Sequence, residues 1–145
     1  MTKAERLSAA LDELLAVSPD VDAAAIVSAD GLPIASVLPA GVAEDRLAAM
    51  SAALLTLGDK AAEGLGKGDL AQVFVEGSNG YVVLMSAGAH AVLVAVTSKK
   101  AKVGLVLFEM RKVAAEIGSV MDLPSAELAD YEVPEEDRSS IAAWQ

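Results

Sequence analysis

The sequence predicts an α/β domain in the order α-ββ-α-βββ-α, a five-stranded, mainly antiparallel sheet with helices on both faces. Three observations carry that reading. Helical apolar periods open the chain, return in its middle and close its apolar part. Five short β-prone runs lie between them, separated by Gly-containing turns. Two of these runs, Val82-Val83-Leu84-Met85 and Val92-Leu93-Val94-Ala95-Val96, are apolar on both sides and need cover above and below.

The first helix is expected over residues 3–17. Thr2 and Glu5 form a Thr-x-x-Glu capping box, and Leu7, Leu11, Leu14 and Leu15 recur at helical spacing. Ser18-Pro19-Asp20 ends it, because a residue before proline disfavours helical geometry. A hairpin follows, with strands at 23–28 and 32–38 joined by Asp30-Gly31, a pair that readily takes positive φ. Pro39-Ala40-Gly41 precedes a long helix over about residues 43–65. Three strands come next, at 70–76, 81–87 and 90–97, divided by Gly77-Ser78-Asn79-Gly80 and Gly88-Ala89. In the first, Gln72, Phe74 and Glu76 alternate with Ala71, Val73 and Val75, the pattern of an edge strand. A last helix is expected over residues 99–120, with Ser98 as its N-cap and Val103, Val106, Leu107, Met110, Val113, Ala114, Ile117 and Met121 as its core stripe.

The long helix is the most informative element. From Leu47 to Gly58 it carries no charge for twelve residues. Leu47, Met50, Leu54, Leu57, Ala61 and Leu65 form one stripe, and Ser51, Leu55, Gly58 and Ala62 a second beside it. Together they span roughly 160°, against about 100° for a helix with one buried side. The expectation is that the larger residues face the sheet. The small ones, Ser51, Leu55, Gly58 and Ala62, would then accept the close backbone of a second subunit. The competing reading is that another element of the same chain covers them.

Composition narrows the function. The chain of 145 residues is 54% hydrophobic and 22% charged, fitting one globular domain. With no cysteine it has no disulfides, thiol chemistry or cysteine zinc site. A net charge of −10 argues against nucleic acid, which calls for a basic surface. No apolar run of membrane-spanning length occurs and no secretory stretch follows the charged start, so membrane insertion is not expected and a cytoplasmic location is. From Asp122 onward there are seven acidic residues and one basic. The expected division is therefore a domain at 1–122 and an acidic, mobile tail at 123–145, with the only tryptophan, Trp144, near its end. Five of the eleven basic residues, Lys99, Lys100, Lys102, Arg111 and Lys112, cluster on the last helix, either as a solvated face or as a dock for an acidic partner or the tail.

No constellation calls for catalysis. Gly64-Leu65-Gly66-Lys67-Gly68 superficially suggests a phosphate loop. Ala61 and Gly68 stand where that motif needs Gly and Ser/Thr, and the stretch follows a helix, so helix-ending glycines explain it better. His90 is the single histidine and sits beside a turn. Asp20 and Asp22 lie at a helix-to-strand turn, and Glu44 and Asp45 suit the first turn of the long helix. No catalytic, cofactor-binding or metal-binding residue is assigned.

The stretch from Val21 to Ser36, an apolar strand, Asp30-Gly31, then a short strand with small residues, together with the α-ββ-α-βββ-α order, resembles the roadblock/dynein light chain family. The resemblance covers residues 7–121. It implies a fold close to profilin and longin domains, and a dimer in which long helices pack side by side and the following strand pairs with its twin. Val73 and Val75 then join Ser51, Leu55, Gly58 and Ala62 as interface candidates. It also implies a non-catalytic platform for small Ras-like GTPases, as in the bacterial polarity systems where a roadblock dimer is the GTPase-activating partner. Eukaryotic members are dynein light chains and endosomal scaffolds, and some actinobacterial members are encoded beside a sensor kinase and a GTPase. Asp45, Ala49, Ala52, Thr56, Asp59, Lys60 and Glu63, on the wheel opposite the expected core stripe, are the candidate GTPase contacts. The four arginines lie on no obvious protruding loop, which disfavours an arginine finger. The alternative is a profilin- or PAS-like small-ligand sensor or a scaffold module without a GTPase partner. Strands rich in Ala, Val and Leu, with 3% aromatic residues, suit close packing better than a stacked ligand.

Overall fold

In the computed structural model, which describes residues 1–123, α1 (Lys3–Val17), β1 (Val21–Ser28), β2 (Pro33–Val37), α2 (Glu44–Gly64), β3 (Val73–Glu76), β4 (Gly80–Ala87), β5 (Ala91–Ser98) and α3 (Val103–Met121) follow in the predicted order. The strands form one sheet in the order β2-β1-β5-β4-β3, with every pairing antiparallel. The acidic segment and Trp144 lie outside the described residues.

Two apolar layers sandwich the sheet. On one side Leu7, Leu11 and Leu14 of α1 and Val106, Met110, Val113 and Ile117 of α3 pack against Ile26, Val83, Leu93 and Ala95. On the other, Ala48 of α2 meets Ala25, Val27, Leu84, Val92 and Val94. Central β1 and β5 contribute to both layers, which explains why their sequences lack the alternation of a half-exposed strand. Alanines along β1 let two layers of helix approach a sheet with few large side chains.

The local signals mostly act as their chemistry requires. The Thr2 hydroxyl caps α1 by accepting from the Glu5 amide at 3.1 Å, and it donates to the Glu5 carboxylate at 3.0 Å. The β1–β2 connection differs from a tight two-residue turn. The Gly31 amide donates to the Ser28 carbonyl at 3.0 Å, Asp30 keeps negative φ, and only Gly31 turns positive, at 89°. That is a longer loop closed by one left-handed glycine, further tied by the Leu32 amide to the Ser28 hydroxyl at 3.0 Å.

Two boundaries move for tertiary reasons. β3 starts at Val73 rather than Leu70, because the Leu70 side chain turns under α2 before the ladder begins. Ser98 does not cap α3: it ends β5, paired with Gly80, and its amide donates to the Asp20 carbonyl at 3.0 Å. The helix starts four residues beyond the expected Lys99, at Val103, leaving Lys99–Lys102 in the turn. Gly80 itself is sterically fixed, since a Cβ there would lie 2.1 Å from the Thr97 carbonyl oxygen. Gly80→Ala is expected to lower stability by about 2 kcal/mol by prising β4 from β5, read as a lower urea midpoint at unchanged slope.

Candidate protein-interaction surface

The two stripes of α2 largely exchange the places the sequence suggested; of the larger stripe, Leu47 packs against the sheet. Ser51 is 2% exposed against the sheet, Leu55 and Gly58 are half-buried, and Ala62 follows them on the same side. A Cβ on Gly58 would fall 2.8 Å from Val73 and 3.2 Å from Leu70 of the same chain. The small stripe is thus the one that lets α2 approach its own sheet, as in the competing reading that another element of the same chain covers it. The larger residues face outward: Met50 is 51% exposed, Leu54 37% and Leu57 64%. The physical reason is spacing. The inner strands already carry Val and Leu toward α2, so small residues, Ala48, Ser51 and Gly58, take the closest approach, while Leu47 and Leu55 pack at the margins of the layer.

On the wheel Leu54 adjoins Gly58, which touches β3, while Leu57 lies at the crest of the helix and also borders the β1–β2 turn with Asp30, Gly31, Ala49 and Thr56. Among the described residues β3 is paired on one side only, with β4. The edge-strand reading therefore stands, and its side chains divide between two faces. Val73 packs against α2, while Val75 stays exposed. Phe74 stacks on Tyr81 with ring centroids 5.1 Å apart. Beyond them Lys99 donates to Glu76 at 2.7 Å and lies 4.8 Å from the Tyr81 ring centre. The hydrogen bond to Glu76 leads in raising the Lys99 ammonium above its ordinary value. A raised folded value gives a contribution present below the unfolded pKa and lost only as strongly alkaline pH passes the folded one, so this exposed pair is constant through neutrality.

The predicted partner contacts fall on the opposite flank of α2. Asp45, Ala49, Thr56, Asp59, Lys60 and Glu63 are exposed and Ala52 half-buried. Ala49 and Ala52 abut the β1–β2 turn, where a Cβ on Gly31 would lie 3.6 Å from each. Ala52, Thr56 and Asp59 also line a shallow pocket of about 180 Å³ with Ala29, Ser86 and Ala89. At the N-terminal end the Ser36 hydroxyl donates to Glu44, tying β2 to the start of α2. One helix therefore presents two exposed flanks, one apolar beside a free strand edge, one polar beside two turns. Sequence reasoning missed Met50, Leu54 and Leu57 as surface; a mid-helix Gly facing Val73 was the available signal.

His90, Asp20 and Asp22 do not converge on this surface. Asp20 and His90 instead supply backbone carbonyls that accept from Ser98 and Ala29. Among the described residues no three His, Asp or Glu side chains are grouped to hold a metal ion, and no helix is long and apolar enough to cross a membrane.

A five-stranded antiparallel sheet, two helices on one face and one long helix with exposed flanks on the other define a roadblock- or profilin-like module. The chain belongs to the Roadblock/LC7 domain family, which it matches over residues 7–97. An uncharacterized protein of Methanocaldococcus jannaschii is 35% identical over 92 residues, 63% of this chain and 80% of that relative. Among solved structures, an MglB with tetrameric arrangement superposes with a TM-score of 0.76 at 24% identity, covering 88% of this chain and 92% of that one. Profilin IB of Acanthamoeba castellanii superposes at 0.57 and 19%, covering 77% and 96%. These two likenesses are of fold, and they bear out the predicted architecture.

Proposed function

We propose that this chain is a cytoplasmic, homodimeric platform that binds and regulates a small Ras-like GTPase without supplying catalytic residues of its own. The observation that carries the reading is the exposed Met50/Leu54/Leu57 stripe beside the unpaired edge of β3, within a Roadblock/LC7 domain. Apolar side chains in such a contiguous patch gain about 25 cal/mol per Å² when a partner removes them from water. A free strand edge gains backbone hydrogen bonds in the same contact. Two copies related by a twofold axis satisfy both at once, stripe on stripe and β3 on β3. Val75 sits at that edge, and Val73, behind it, fixes the strand to α2. Ser51, Leu55, Gly58 and Ala62 support this interface from within the protomer by setting the height of α2 above the sheet.

In such a dimer the polar flanks, Asp45, Ala49, Ala52, Thr56, Asp59, Lys60 and Glu63, stay open. Small Ala and Thr between charges form a modest surface for a reversible contact of about 1,000–1,600 Å². A platform of this kind acts by holding the switch loops of the GTPase in one geometry, favouring the triphosphate state. The test is capture of a co-encoded small GTPase, loaded with GDP or a non-hydrolysable GTP analogue, on the immobilised chain. Binding selective for the triphosphate form supports the reading, and Asp59→Lys with Glu63→Lys should weaken it about tenfold while leaving the dimer intact. If no GTPase binds in either state, the functional reading fails; if the double variant binds as the parent does, the surface assignment fails. The domain proposed for this role is residues 1–122, with 123–145 as a separate acidic segment.

A further inference from the structure

The opposite side of the molecule carries a second surface that the platform reading does not use. On the solvent face of α3, Leu105 is 56% and Phe108 54% exposed. Around them stand Lys100, Lys102, Arg111 and Lys112, all exposed. Lys112 lies 5.2 Å from the Phe108 ring centre and 3.3 Å from Glu109, which is therefore already partnered. Arg111 borders a groove of about 440 Å³ that runs from Ala114 and Ala115 to Leu70, Ala71 and Gln72. An aromatic and a leucine framed by four cations form a surface suited to an acidic segment with interspersed apolar residues.

We propose that the chain's own residues 124–137 dock on this face of α3. Three features select that occupant. The first is composition: from residue 124 to the end there are six acidic residues and one basic, with Leu128, Tyr131 and Val133 among the acids. The second is where the segment begins. The Lys3 ammonium donates to the Met121 carbonyl at 2.9 Å and to the Leu123 carbonyl at 3.1 Å, fixing the end of α3 and the point of departure. The third is reach. Allowing two residues for reversal, an extended chain at about 3.3 Å per residue runs back along a helix that rises about 1.5 Å per residue. A segment of this length is therefore long enough to reach past Phe108, Arg111 and Lys112 to the turn that holds Lys100 and Lys102. Tethering places the segment at an effective concentration on the order of 1 mM. A contact with a Kd of about 0.1 mM, typical of a short charged peptide, would then be docked about ten to one. Because screening acts beyond about 8 Å at physiological salt, the contact must be close and salt-sensitive. α2 and β3 remain free, so docking is compatible with the proposed dimer.

The test uses the full-length chain labelled with nitrogen-15. Backbone relaxation of residues 126–137 is measured for the parent, for Arg111→Glu with Lys112→Glu, and for that variant combined with Glu132→Lys, Glu135→Lys and Glu136→Lys. The docked population should fall about tenfold in the first variant and return in the charge-swapped chain, at any protein concentration. Unchanged signals from β1 and β5 confirm that these surface changes leave the fold intact. Identical tail relaxation in parent and variant overturns the proposal, as does failure of the swap to restore it. Docking that strengthens with protein concentration overturns it too, by placing the segment on a second copy. Loss of binding to phosphatidylserine vesicles in the variant, with tail relaxation unchanged, assigns the patch to an anionic membrane instead.

Discussion

Leu57→Glu is expected to turn a dimer into a folded monomer. Leu57 is 64% exposed in the protomer, so the substitution removes little from the protomer's own packing. In a twofold interface the change occurs twice. Each copy loses about 1.5–3 kcal/mol of leucine burial and gains a carboxylate that must be stripped of water. A combined loss of about 6 kcal/mol weakens association by a factor on the order of 10⁴, enough to abolish a micromolar dimer. Sedimentation velocity should show the parent as a dimer at tens of micromolar and the variant as a folded, cooperatively melting monomer whose transition is lowered only by the stabilisation that dimerisation supplied. A parent that sediments as a monomer removes the dimer from the proposal. A variant that remains dimeric moves the interface away from the Met50/Leu54/Leu57 stripe.

Gly58→Glu, one residue further, should act on a different link. Its Cβ would lie 2.8 Å from Val73 and 3.2 Å from Leu70, and the carboxylate would be driven between α2 and β3. Burying an unpaired charge in that layer should cost about 4 kcal/mol of folding stability, a large part of what a domain of this size has. The expected result is a much lower urea midpoint. Gly58→Ala should cost about 1 kcal/mol, because the flexible ends of Val73 and Leu70 can shift slightly. If Gly58→Glu instead gave a monomer as stable as the parent, the small stripe would be the subunit contact after all. The pair of neighbouring substitutions therefore separates fold from association.

Much of this arrangement was legible in the chain. Thr2 and Glu5 placed the start of α1, Pro19 its end, and Asp30-Gly31 the first hairpin. The doubly apolar runs at 82–85 and 92–96 required cover on both faces, and the alternation at 71–76 marked an edge. These signals are local: each depends on a few neighbouring residues and on rules of backbone geometry or side-chain period. The start of α3 was not legible, because Ser98 is a good cap by itself, yet pairing with Gly80 and the Asp20 carbonyl holds it in β5.

The candidate surface divides along the same line. The sequence by itself determined that α2 has more apolar surface than one sheet face covers, since a twelve-residue stretch without charge is a property of the chain alone. Which of the two stripes faces inward was decided only by the tertiary structure. Hydrophobicity favours burying Met50, Leu54 and Leu57, but the space between α2 and the sheet is already filled by Val27, Leu84, Val92 and Val94. Close packing puts Ala48, Ser51 and Gly58 at the closest approach, with Leu47 and Leu55 at the margins of that layer, so steric fit overrode the transfer preference and turned Met50, Leu54 and Leu57 toward solvent.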